Sequence, residues 1–80
     1  MNKEILLSNI DKLHTTLMGM DRIKKNLHLD QEDVVEYCKS KILDKNCDIY
    51  KLGKNWYCEI DHIQITINAY SYTIITAQFI

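Results

Sequence analysis

Apolar positions in the first half of the chain recur at spacings of three and four. Leu6, Ile10, Leu13 and Leu17 fall on one side of a helix, and Met20, Ile23 and Leu27 can continue that side. The segment is either one long helix or two helices broken near "HTT" at 14–16. Gly19 and the pair Thr15–Thr16 lower helix propensity there, and threonine is a common N-cap, so the break is the preferred reading. "LDQEDVVEYCKSKIL" at 29–43 predicts a further helix. Asp30 would cap it, Glu32 and Asp33 would occupy the first turn, and Lys39 and Lys41 would lie near its end, all matching the helix dipole. Val34, Val35, Cys38 and Ile42 would form its buried stripe.

From Asp48 the period changes from 3.6 to 2. "DIYKL" and "WYCEI" flank "GKN" and predict a hairpin. "DH" at 61–62 makes a second turn. "IQITIN" then alternates strictly, with Ile63, Ile65 and Ile67 on one face and Gln64, Thr66 and Asn68 on the other. "AYS" turns the chain again, and "YTIITAQFI", rich in β-branched and aromatic residues, predicts the last strand. The expected fold is one α+β domain over 1–80. Two or three N-terminal helices (about 1–45) pack on one face of a four-stranded antiparallel meander (about 48–80).

Length and composition set bounds on this picture. Eighty residues make one domain with a thin core. With no proline and two glycines, the loops should be short, and the common nucleotide-binding glycine fingerprints have no place to form. The N-terminus is broken by charge every few residues and carries no signal-like apolar run, and no segment reaches membrane-spanning length, so the chain reads as cytoplasmic with no membrane partner. The cysteines Cys38, Cys47 and Cys58 are odd in number and fit no zinc spacing, so they read as reduced, partly buried thiols, with no metal or cofactor expected.

Charge adds more through its distribution than its sum. The net charge of −1 gives no global pull toward nucleic acid. Every lysine and arginine lies at or before Lys54, and 63–80 carries no charge at all. Exposed sheet edges are normally guarded by charge or proline. The uncharged run therefore predicts that the last strands are covered, by another subunit or a partner.

Three groups of residues are candidates for chemistry. In "HTTLMGMDRIKKN", His14 could act as general base or acid while Arg22 holds an anion. In one unbroken helix the two would stand about 12 Å apart along the axis and could not share a reacting atom; a break at Thr15–Thr16 would let them converge. The alternative is a helix junction with Arg22, Lys24 and Lys25 on a solvated face. The second group is the polar sheet face, His62, Gln64, Thr66 and Asn68, with Thr76 or Gln78 from the next strand, which could bind a ligand by hydrogen bonds or simply face solvent. The third is the aromatic set Trp56, Tyr57, Tyr70, Tyr72 and Phe79. Such residues can stack nucleobases, but the lack of basic residues in this half favours core or interface.

The blocks "LHTT…G…RIKKNL", "DVVEYCK", "GKNWYCEID" and "ITINAYSYTIITA" resemble an uncharacterised family of small bacterial proteins, a domain of unknown function, over nearly the whole chain. The resemblance implies no activity. Where that family often has a histidine after "TIITA", this chain has Gln78. The layout alone, helices bearing a histidine and an arginine before a four-stranded meander, is similar to metal-independent ribonuclease toxins of the barnase and colicin type. That likeness would make His14 the base, Arg22 the phosphate-binding cation and Thr76 the hydroxyl.

The first functional expectation is a small binding protein without catalysis, of a kind seen among phage-encoded inhibitors. It would act by protein–protein contact or by sequestering a small anionic, nucleotide-like ligand, and would form a homo-oligomer through strands 63–80. Ligand-binding candidates are His14, Thr15, Thr16, Arg22, Lys25, Thr66, Asn68 and Thr76, with Arg22 or Lys25 meeting strand hydroxyls between subunits. The ribonuclease-like enzyme is the alternative.

Overall fold

The computed structural model describes residues 3–30 and 33–80. Helix α1 spans Lys3–Ser8 and is followed by a single 3₁₀ turn at Ile10–Lys12. The chain then runs extended to Thr16, and α2 spans Leu17–Leu27. The break falls where the sequence places it. Thr16 adopts extended backbone and its hydroxyl accepts from the Gly19 amide at 3.0 Å, capping α2. His28 ends α2 in the left-handed conformation and its ring stacks on Phe79.

Helix α3 spans Val34–Ile42, so its start differs from the expectation. Asp33 is the N-cap, its carboxylate accepting from the Glu36 amide at 3.1 Å, and Asp30 lies before the helix. Asp33 was expected inside the first turn, yet its short carboxylate competes for backbone amides better as a cap than from within a helix. The expected first-turn Glu32 lies outside the described residues. Near the helix end, Lys41 forms an ion pair with Asp61 at 2.7 Å, and that hydrogen bond raises the Lys41 pKa.

Strands β1 (Asp48–Leu52), β2 (Asn55–Ile60), β3 (Ile63–Asn68) and β4 (Ile74–Phe79) form an antiparallel sheet in chain order. Gly53 turns between β1 and β2 with φ +60°. Asp61 and His62 both take positive φ between β2 and β3, the signature of a tight hairpin. The last strand begins at Ile74, two residues later than the expected "YTIITAQFI", because Tyr72 also takes positive φ and the turn is longer than "AYS". β4 also carries a bulge. Thr66 pairs with Thr76 but Ile67 pairs with Ile74, leaving Ile75 unpaired. The extra residue lets Ile74 and Ala77, three apart, both point inward.

The inner sheet face supplies Trp56, Cys58, Ile63, Ile65, Ile67, Ile74 and Ala77 to the core, and the helices supply Leu6, Ile23, Leu27, Val34, Cys38 and Ile42. This is the expected α+β arrangement. Helix α2 lies along the free side of β4. Thr15 Oγ1 donates to the Ile74 carbonyl at 3.0 Å, and Asn26 Nδ2 donates to the Ala77 carbonyl at 3.3 Å and to Thr76 Oγ1 at 3.4 Å. His14 adds a one-residue bridge to the same edge, through His14 N to the Tyr72 carbonyl and Ile74 N to the His14 carbonyl. The uncharged last strand therefore needs no guarding charge on its edge, because the chain closes that edge itself.

Candidate functional site

Two places on the molecule gather polar side chains. The first is the corner where the extended segment 13–16 meets the turn before β4. His14 Nδ1 lies 2.9 Å from the Lys12 carbonyl, and its Nε2 lies 3.1 Å from Thr73 Oγ1. A carbonyl can only accept, so Nδ1 carries the hydrogen and Nε2 accepts from the Thr73 hydroxyl in the neutral ring. Ser71 Oγ lies 2.8 Å from Thr73 Oγ1 and 3.2 Å from Asn68 Oδ1; with the Thr73 hydrogen on His14, the single Ser71 hydrogen is shared between these two acceptors. The turn is built to hold these groups. Asn68 Oδ1 takes the Tyr70 and Ser71 amides at 2.9 Å each, and Tyr72 stays in the left-handed region with Lys12 Nζ 5.7 Å from its ring centre. A bulky residue with positive φ costs backbone energy that the surrounding bonds must hold. The result is a hydroxyl–hydroxyl–imidazole chain at the surface, with the imidazole oriented by a carbonyl, an arrangement able to move a proton.

The second place is the outer face of the sheet, opposite the helices. Cross-strand rows run Tyr50–Tyr57–Thr66–Thr76 and Asp48–Glu59–Gln64–Gln78. Tyr50 and Tyr57 stack with ring centres 5.5 Å apart. Glu59 Oε2 accepts from the Tyr50 hydroxyl at 2.7 Å and from Gln64 Nε2 at 2.9 Å. These two bonds hold the Glu59 carboxyl below its usual range, and the same carboxylate raises the Tyr50 pKa. Thr66 is only 8% exposed, because its neighbours on both sides crowd it. Aliphatic side chains, Leu52 and Ile75, stand exposed on the edge strands.

The sequence candidates divide between these places and the scaffold. His14 belongs to the corner, and its ring bonds Thr73 rather than Thr76. Thr15, Thr16, Asn68 and Thr76 hold the fold together through the bonds given above. Arg22 and Lys25 are exposed on α2. Arg22 stands in the second turn of that helix, while His14 lies before the first. Thr66 lies on the outer face, whereas His62 sits in the β2–β3 turn with its backbone rather than its side chain engaged, accepting from Ile80 N at 2.8 Å. Sequence reasoning did not single out Ser71, Thr73, Tyr50 or Glu59. For Ser71 and Thr73 a signal existed: "SYT" places two hydroxyls around a residue forced to turn. Among the described residues, no cavity encloses a small molecule and no helix is long and apolar enough to cross a membrane.

Fold and surface together define a small α+β protein, a four-stranded sheet backed by helices on one side and open on the other. The chain belongs to the family described as protein of unknown function (DUF3781), whose profile matches residues 7–78. That span contains the His14 corner and all of the sheet except Phe79 at the end of β4. No curated protein and no solved structure matches the chain.

Proposed function

We propose that this protein is a small non-catalytic binding module that works by protein–protein contact through the outer face of its sheet, with a second copy of the chain as the occupant. The supporting observation is that face itself: helices cover the inner face and α2 closes the β4 edge, while the outer face lies bare. Its amides, Gln64 and Gln78, both donate and accept, so the surface is complementary to itself. Stacked Tyr50 and Tyr57 supply the apolar anchor such contacts use. Sequestration of a small anion has less support, because several hydroxyls assigned to it already hold the fold. Light scattering at high concentration should give twice the 9.5 kDa chain mass. Gln78→Lys, which places like charges across a two-fold contact, should weaken the dimer about tenfold or more. A 9.5 kDa species at every concentration would overturn the proposal.

A second reading, a metal-independent ribonuclease, is favoured by the His14 corner alone. In it His14 Nε2 takes the proton of an RNA 2′-hydroxyl, the 2′-oxygen attacks the adjacent phosphorus, and the 5′-oxygen leaves with a proton from solvent. Incubation with total RNA in EDTA separates the two readings. Cleavage that disappears in His14→Ala sinks the non-catalytic one, and no cleavage across a range of RNAs sinks the enzyme.

A further inference from the structure

All three thiols are free and buried, and they sit on the inner side of the sheet where α3 crosses it. Their positions are not equivalent. Cys58 lies in the middle of β2, opposite Ile49 of β1. Cys47 lies two residues before Ile49, so the alternation of the strand puts it on the same inner face, diagonal to Cys58. Cys47 precedes the ladder and closes the turn after α3, where its amide donates to the Asp44 carbonyl at 3.0 Å. Residues 43–46 of that turn are exposed and lie outside the strand ladder. Cys38 approaches from α3 and is fully buried.

We propose that Cys47 and Cys58 form a redox modification site that reacts with a low-molecular-weight disulfide such as glutathione disulfide and closes to an intramolecular bridge, with Cys38 a bystander. The side chains bear unequal shares of the chemistry. The Cys47 thiol donates to the Asp48 carbonyl at 4.0 Å, and its interaction with the neighbouring Cys58 thiol lowers the Cys47 pKa and raises that of Cys58. Burial alone pushes the Cys38 thiol up to about 12. Cys47 also keeps 5% of its surface exposed, against none for the other two. It is therefore the attacking sulfur. In the first step the Cys47 sulfur bonds to one sulfur of the reagent, whose S–S bond breaks and whose other half leaves as a thiolate. In the second step the Cys58 sulfur attacks the Cys47 sulfur of the mixed disulfide and expels the second reagent thiol. Two protein thiols are oxidised, one reagent disulfide is reduced to two thiols, and the two protein protons go to those products. The bridge requires the Cα atoms to come within roughly 4.4–6.8 Å, a closure the 43–47 turn can supply.

The test uses the whole chain. After incubation with glutathione disulfide, the thiol titre under denaturing conditions should fall from three to one, and non-reducing peptide mapping should place the bridge between 47 and 58 with Cys38 free. Cys58→Ser should instead accumulate glutathione on Cys47. The wild-type map decides the pairing even if that variant fails to fold. A titre that stays at three, a bridge that includes Cys38, or an unresolved mixed disulfide on wild-type Cys47 would each overturn the proposal.

Discussion

Ile65→Ala should destabilise the protein by about 2–5 kcal/mol, the cost of removing a buried aliphatic side chain and leaving a cavity. Ile65 has no exposed surface and lies in the middle of β3, flanked across the ladders by Cys58 and Ala77. A domain of this size has roughly 4–12 kcal/mol in all, at about 0.05–0.15 kcal/mol per residue. The substitution thus removes a large part of the total. Urea unfolding should show a much lower midpoint with little change in slope. The adjacent position gives the control. Gln64→Ala, on the outer face, loses one part-buried hydrogen bond to Glu59 and should move stability by about 0.5–1 kcal/mol. Equal losses at the two neighbours would contradict the assignment of one face to the core and the other to contact.

This division of faces was legible in the sequence because a strand's alternation is a local property. Ile63, Ile65 and Ile67 declare their face by spacing alone. The pair Thr15–Thr16 likewise announced the start of α2, since an N-cap needs only the chain within three residues of it; the structure makes Thr16 the cap. Where the signals were local but competed, boundaries slipped. Both Asp30 and Asp33 are good caps, and it is the Asp33 carboxylate that takes the Glu36 amide. Along "YTIITA" the alternation fails, and only the bulge at Ile75 reconciles it with an inward Ile74 and Ala77.

The uncharged run at 63–80 shows the limit of reasoning from one segment. Its lack of charge reads as cover by another subunit or a partner, whereas along the β4 edge it is the chain's own α2 that packs there. No pattern within the run identifies a helix fifty residues away. The His14 corner fails for the same reason. His14 and Thr73 are 59 positions apart, and what joins them is the closure of the β4 edge. Thr76 was the reasonable hydroxyl to choose from a strand pattern, but its register places it opposite Thr66 and beside Asn26. A site assembled across a non-local contact becomes visible only once the register is known.

That non-local contact has a single weak point, and it yields the second large effect. Gly19→Ala should destabilise the protein by about 1–3 kcal/mol, although alanine is the better helix former by about 1 kcal/mol. Gly19 is buried in the first turn of α2. A Cβ there would run into Thr15 Oγ1, come within 3.2 Å of Thr16 Oγ1, and approach the Ile74 carbonyl at 3.7 Å. Both hydroxyls are committed, Thr15 to the Ile74 carbonyl and Thr16 to the Gly19 amide, so relief of the clash costs a cross-chain bond or a helix cap. Moving Thr15 also loosens its neighbour His14 from β4, and the His14–Thr73 bond should weaken with it. Imidazole resonances in NMR spectra of Gly19→Ala should report that loss. The double variant Thr15→Ala/Gly19→Ala removes the obstructing hydroxyl, so it should be more stable than Gly19→Ala alone despite carrying one more substitution. If the two losses simply add, Thr15 is not what confines position 19, and the junction between α2 and β4 is held by something other than this contact.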